Sequence, residues 1–279
     1  MGTDLVAVAA RAMVLLCMYQ AVGAALFAAQ FEAQVPLVCA RLRRLGILVA
    51  ALGIVLELLQ LPLTAARMAG DFAGVSDTRL LTLAVHSSRA SAGAVTIVGL
   101  ALLMIGLARA LWLALLGAAL CVCAPVLTGH TSVNPQRALL VPLLVVHLGV
   151  GAFWLGALWP LLLTLRLEQP SVAAAVLQRF SRRAGWLVPC IALAGLGMSF
   201  LLIDDVSVLR RPYGLILLGK LTLFMILTVL AALNRWRHTP ALPQAATTAL
   251  RCSIVAEYLL IAAVLAMTAT LTTLFWPEE

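Results

Sequence analysis

Long runs of apolar residues alternate with short polar gaps along nearly the whole chain. A helix that crosses a bilayer needs about 20 mostly apolar residues, so each run of that length predicts a membrane span. The predicted spans lie near 4–29, 43–66, 80–108, 111–128, 136–165, 184–203, 213–233 and 250–275. The pattern therefore predicts an all-α integral membrane protein, a bundle of about eight transmembrane helices that forms a single domain over residues 1–279.

The composition argues against a soluble domain and against other classes of protein. Hydrophobic residues make up 63% of the chain and charged residues 11%, whereas about a quarter of a soluble domain is charged. The six cysteines lie in or beside apolar runs, which disfavours a disulfide framework. No nucleotide-binding loop interrupts the spans, which argues against an ATP-driven pump. We expect no enzymatic activity.

The net charge of +8 comes from arginines in the gaps, and it indicates membrane topology instead of nucleic-acid binding. Alternate gaps hold eleven of them: Arg41, Arg43, Arg44, Arg109, Arg166, Arg179, Arg182, Arg183, Arg235, Arg237 and Arg251. The other gaps carry fewer cations and also carry aspartates. Because cytoplasmic loops are the more basic ones, we predict that these gaps face the cytoplasm and that both termini are extracytoplasmic.

Three histidines are predicted to lie at one height. Counted at 1.5 Å per helical residue from Arg109 or Arg166, they lie about 34, 31 and 28 Å above the cytoplasmic arginines: His86, His130 and His147. With a hydrocarbon core about 30 Å thick, this height is the outer rim of the membrane. Imidazole binds copper and zinc, so the three histidines are candidate ligands of an outer metal site. The alternative is three unrelated interfacial histidines.

Ionisable residues inside the spans are also candidates. Such a residue costs about 2.5–3.5 kcal/mol in mid-span and usually faces the bundle interior. Glu57 and Lys220 have similar predicted heights, which leaves open a neutralising Glu57–Lys220 pair or a role in ion relay. Glu257 lies low in the last span, where snorkelling or an arginine partner is the alternative to a relay.

Soft ligands complete the set of candidates. Met68 and Cys123 carry a thioether and a thiol, which favour Cu(I), but methionine and cysteine are also ordinary packing residues. Trp154 is a further candidate, for a role beside the ligands or in packing, because it lies on one helix face with His147.

The fifth predicted span and the segments after it carry a recognisable motif. In order, the residues are His147, Trp154, Gly156, Leu158, Phe180-Ser181, Tyr213-Gly214, Lys220, Asn234-Arg235, Arg251 and Glu257. This order resembles the copper resistance protein D (CopD) family. The resemblance implies a multi-pass protein of the bacterial inner membrane that handles copper, Cu(I) or Cu(II), beside a periplasmic carrier of the CopC type.

The resemblance and the predicted outer histidines together favour copper transport from the periplasm toward the cytoplasm. Two other functions stay open. A membrane cytochrome can use histidines of separate spans, such as His86 and His147, as axial ligands of haem. An assembly factor that holds copper for an oxidase needs the same outer ligands as a transporter does.

Overall fold

The computed structural model describes residues 2–129, 134–203, 205–240 and 247–275. Within these ranges the chain forms α-helices and no β-strand. The helices are α1 (Gly2–Phe31), α2 (Pro36–Ala69), α3 (Thr78–Val85), α4 (Ser88–Arg109), α5 (Leu111–Cys123), α6 (Arg137–Leu167), α7 (Pro170–Leu202), α8 (Pro212–Leu233) and α9 (Thr247–Leu274). Short 3₁₀ helices span Phe72–Ser76, Ala124–Leu127 and Val206–Arg210, and a π-helical turn, Asn234–His238, follows α8.

Seven of the described helices are long and apolar enough to cross a membrane: α1, α2, α4, α6, α7, α8 and α9. The predicted span near 111–128 corresponds to a shorter apolar helix, in which α5 continues into a 3₁₀ turn and ends at Leu127. The chain is a multi-pass membrane protein, and the predicted all-α bundle is confirmed.

The predicted span near 80–108 is wrong as a continuous helix. α3 ends at Val85, with His86 as its C-terminal cap, and α4 begins at Ser88. The Ser87 hydroxyl accepts a hydrogen bond from the backbone N–H of Ala90 at 3.2 Å, which caps the new helix. The height of His86, counted along one straight helix from Arg109, therefore does not apply.

α7 begins earlier than predicted, at Pro170, because proline suits the first turn of a helix. Its first turns therefore include the arginines that the sequence placed in a loop. The guanidinium groups of Arg179 and Arg183 lie 5.9 and 5.6 Å from the ring centre of Phe31 at the end of α1. These contacts attach the start of α7 to the end of α1.

α1 is the central helix of the bundle and contacts α2, α6 and α9. Small residues allow its backbone to approach α6 closely, above all where Gly23 faces Gly156. A Cβ atom on either glycine would collide with the backbone of the other. α8 lies at the periphery, and only Gly214 and Leu227 among its residues are buried.

The arginines of the alternate gaps meet at one end of the bundle, which we call the basic end. Arg43 forms an ion pair with Glu32 at 2.7 Å between α1 and α2. The basic end also includes arginines that hydrogen-bond backbone carbonyl groups, Arg235 to Ser181 at 2.8 Å and Arg251 to Leu165 at 2.6 Å. Leu165 lies in the last turn of α6, where carbonyl groups lack helical partners and cations bind readily, whereas Ser181 lies inside α7.

The other end of the bundle gathers both ends of the described chain. Arg67, near the end of α2, forms an ion pair with Asp4 of α1 at 3.1 Å. The same guanidinium group donates a hydrogen bond to the carbonyl oxygen of Thr273 in α9 at 2.7 Å. The first and last described helices therefore place their outer ends together. That this end faces the periplasm stays a prediction.

Candidate functional site

His147 lies on α6 and is partly buried against α7. Its Nδ1 is 3.3 Å from the carbonyl oxygen of Ile191, and a Cβ atom on Gly195 would come within 3.3 Å of its Cε1. Because a carbonyl oxygen only accepts hydrogen bonds, Nδ1 carries the hydrogen in this contact. In the neutral ring, Nε2 then keeps its lone pair for a metal ion or another donor.

Lys220 of α8 is the charged neighbour of His147. The ammonium charge of Lys220 acts on the imidazole of His147. Lys220 is partly buried, and it has no carboxylate partner among the residues described. The interpretation that Lys220 pairs with Glu57 is therefore wrong. The structure instead brings Lys220 into the neighbourhood of the predicted metal ligand His147.

The other two predicted histidine ligands are His86 and His130. His86 is exposed at the break between α3 and α4. His130 lies outside the described residues. In the described ranges, no group of three or more His, Cys, Asp or Glu side chains is arranged to hold a metal ion. The shared site of His86, His130 and His147 stays a prediction.

Trp154 and Glu257 meet in the C-terminal half of the bundle. The indole Nε1 of Trp154 donates a hydrogen bond to Oε2 of Glu257 at 3.1 Å. The side-chain Nδ2 of Asn234 donates to Oε1 of the same carboxyl group at 2.5 Å. Glu257 is only 3% exposed. Neither the predicted arginine partner nor snorkelling describes Glu257, which is buried between two neutral donors.

Glu57 has a different environment in the N-terminal half. Its carboxylate lies 3.0 Å from Arg89 of α4 and 3.7 Å from Arg11 of α1. Gly93 makes room for it, since a Cβ atom there would lie 2.8 Å from Oε1 of Glu57. With two guanidinium groups around one carboxylate, the cluster has a net positive charge. Such a site repels metal cations.

The two soft-ligand candidates are both exposed. Met68 near the end of α2 is 52% exposed, and Cys123 ends α5. The buried thiol of α5 is instead Cys121, whose Sγ lies 3.8 Å from the carbonyl oxygen of Thr96 in α4. The roles of Met68 and Cys123 stay predictions.

Three polar residues that the fold places in these clusters were not among the predicted site residues: Arg11, Arg89 and Asn234, the last of which belongs to the family motif. Arg11 and Arg89 carried a usable signal, because each interrupts a predicted apolar span. Asn234 ends an apolar run beside arginines, which resembles an ordinary helix terminus. Only the packing of α8 on α9 shows that its amide contacts a buried carboxyl group.

Comparisons with known proteins find similarity to copper resistance proteins. The family model described as "Copper resistance protein D" matches residues 174–271. A protein of Pseudomonas syringae pv. tomato named "Copper resistance protein D" is 35% identical over 109 residues, which cover 36% of this chain. The match spans about a third, 35%, of that relative's length. No solved structure matches the chain significantly.

The family match covers nearly all of α7, α8 and α9, and therefore includes Ile191, Lys220, Asn234 and Glu257. His147 and Trp154 lie before it on α6. The resemblance to the copper resistance protein D family is thus confirmed, and it rests on the C-terminal segment, residues 174–271.

Proposed function

We propose that this protein transports copper across the bacterial inner membrane, taking the ion at the periplasmic face and passing it toward the cytoplasm. One observation carries the proposal. His147 is held by the carbonyl oxygen of Ile191, a residue of the segment that matches the copper resistance family. A histidine oriented by a carbonyl acceptor is the usual arrangement of an imidazole that binds a metal ion.

Lys220 fits a transporter better than a storage site. Transport requires binding that is strong enough to admit an ion and weak enough to release it. An ammonium group whose charge acts on His147 opposes retention of a cation at the imidazole. Lys220 thereby lowers the affinity of the site and favours onward movement of the ion.

The remaining parts of the proposal follow from topology and chemistry. His86 and His130 supply further nitrogen ligands at the periplasmic face. The copper donor is a periplasmic carrier of the CopC type. The Arg11–Glu57–Arg89 cluster lies off the path, because its net positive charge repels copper.

Radiocopper uptake into proteoliposomes tests the proposal. We expect wild-type protein to admit copper and His147→Ala to reduce uptake at least about tenfold, since loss of one nitrogen ligand from a small site weakens binding severely. The matched control is His238→Ala, the same substitution in the π-helical turn, which should leave uptake unchanged. Lys220→Met should increase retention of copper by the purified protein.

Two outcomes would contradict transport, and a third would contradict the role of His147. Wild-type vesicles that bind copper without internalising it would indicate an assembly factor that holds copper for an oxidase. A haem signal in the reduced-minus-oxidised absorbance spectrum of the purified protein would indicate a cytochrome. Equal uptake by His147→Ala and wild type, at equal abundance in the vesicles, would remove His147 from the path.

A further inference from the structure

Glu257 combines deep burial with an unusual set of partners. Its carboxyl group is almost fully excluded from solvent, and each oxygen accepts one hydrogen bond. The donors are the indole of Trp154 and the amide of Asn234, and both are neutral. An ionised carboxylate in such a place keeps its full negative charge with no cation to balance it.

The helices around Glu257 carry several cations and other titratable groups. α9 packs against α1, α6, α8 and the π-helical turn. Across the described ranges, no ion pair or hydrogen bond joins Glu257 to any of their titratable residues. The titratable residues of these elements and of α9 itself are Asp4, Arg11, Cys17, Tyr19, Arg137, His147, Arg166, Tyr213, Lys220, Arg235, Arg237, His238, Arg251, Cys252 and Tyr258.

Two of these cations are bound to backbone groups and are not available to Glu257. Arg251 donates to the carbonyl oxygen of Leu165, and Arg235 donates to that of Ser181. Arg11 of α1 lies instead beside Glu57. Since no cation among the described residues is paired with Glu257, binding of a proton neutralises it in place without moving a side chain.

Asn234 suits both forms of the carboxyl group. In the arrangement described, its Nδ2 donates to the carboxylate and its Oδ1 is buried without a hydrogen-bond partner. If the amide turns over, Oδ1 accepts from the O–H of a protonated Glu257. The 2.5 Å separation lies within the range of O–H···O hydrogen bonds. An arginine in this position would stabilise only the ionised form.

Glu257 and Asn234 lie close to the basic end of the bundle, so a proton released by Glu257 has a short path to that end. Asn234 directly follows α8, and the next residue, Arg235, belongs to the basic end of the bundle. Glu257 lies six residues beyond Arg251, about 9 Å along α9. A proton that leaves Glu257 past Asn234 reaches the basic end, which the topology prediction assigns to the cytoplasm.

We infer that Glu257 is a proton-binding site whose protonation alternates with the passage of copper. The inference rests on the proposed transport function. In the step, the O–H bond of the carboxylic acid breaks and leaves a carboxylate and a proton, as the approaching cation favours the negative charge. A proton binds again after the cation has left, so no oxidant or reductant takes part.

Infrared spectroscopy of the full chain in lipid vesicles tests proton binding without copper. A carboxylic acid C=O band should fade as the pH rises, and Glu257→Gln should lack that band. The matched control is Glu32→Gln, which changes a carboxylate in a partly exposed ion pair and should keep the band. A wild-type spectrum without a titrating band, or a band that persists in Glu257→Gln, would overturn the inference.

Trp154→Phe gives a second test that keeps the carboxyl group. Loss of the indole donor disfavours the carboxylate, so the midpoint of the band should move to higher pH by about one unit. If Glu257→Gln fails to fold, Trp154→Phe still tests the inference. An unchanged midpoint in Trp154→Phe would show that the band does not belong to Glu257.

Copper addition to vesicles that contain a pH-sensitive dye tests the coupling. Wild-type protein should move protons when copper enters, and Glu257→Gln should lose that proton movement. Copper uptake whose proton movement is the same in both proteins would overturn the inference and leave the transport function standing. If wild-type protein moves no copper, transport itself fails, and the infrared titration alone decides whether Glu257 binds a proton.

Discussion

Glu57 and Glu257 are both buried in the bundle, yet their surroundings differ in kind. Glu57, in the N-terminal half, lies between the guanidinium groups of Arg11 and Arg89. Glu257, in the C-terminal half, lies between the neutral donors Trp154 and Asn234. A carboxylate paired with two cations serves structure. A carboxyl group between neutral donors can change its charge and can therefore take part in ion movement.

The same division extends to the rest of the molecule. The C-terminal half also contains the imidazole of His147, and Lys220, whose ammonium charge has no carboxylate partner among the described side chains. It contains the family match at residues 174–271 as well. In the N-terminal half, the buried carboxylate is ion-paired and α1 is tightly packed. We therefore assign the chemistry to the C-terminal half and the scaffold to the N-terminal half.

Glu57→Gln should give the largest loss of stability, because it leaves two arginines in the bundle without their carboxylate. Breaking a buried ion pair on one side costs about 3–5 kcal/mol, and the partial exposure of Arg89 places this site near the lower value. Thermal unfolding in detergent measures the effect. A loss no greater than that of Glu257→Gln would remove the distinction between the two glutamates.

Gly93→Ala should weaken the same cluster through packing. The new Cβ atom would lie 2.8 Å from Oε1 of Glu57 and push the carboxylate away from Arg89. We expect a loss of about 1–2 kcal/mol, as in other overpacked sites. The matched control is Gly149→Ala, where the Cβ atom would lie 3.8 Å from Val122 and should cost nothing. Equal unfolding temperatures for the two variants would argue against a tightly held carboxylate.

Trp154→Phe should cost about 1 kcal/mol, the value of one hydrogen bond with little change in packing. The indole donor favours the ionised form of Glu257, so the loss should be larger at high pH, where the carboxylate prevails, and smaller at low pH. Unfolding of wild type and variant across a pH series measures this difference. A loss that does not depend on pH would mean that Glu257 does not titrate in the folded protein.

Glu257→Gln and Glu32→Gln should give the smallest effects. In Glu257→Gln the new side chain keeps the shape of the old one and one acceptor oxygen, so we expect a cost below about 1 kcal/mol. The partly exposed Glu32–Arg43 pair should contribute less than about 0.5 kcal/mol. Unfolding at neutral pH ranks the two variants against Glu57→Gln. A large loss in Glu257→Gln would indicate that the ionised form holds the helices together.

The sequence by itself determined the architecture, because the length of an apolar run and the thickness of a bilayer are enough to predict a span. It predicted a resemblance to the copper resistance protein D family from residues between His147 and Glu257, and the match at residues 174–271 confirms that resemblance over the segment it covers. The break after His86 also has a local cause, since Ser87 is a favourable N-cap, although the long apolar run concealed it.

Only the tertiary structure decided which polar residues meet. Trp154 and Glu257 are 103 positions apart, and Glu57 lies beside Arg11 and Arg89 of two other helices, not beside Lys220. Counting residues along a helix gives the height of a side chain, but it gives neither the rotation of the helix about its axis nor its neighbours. Rotation and neighbours depend on close contacts between helices, such as Gly23 against Gly156, which follow from the packing of the whole bundle.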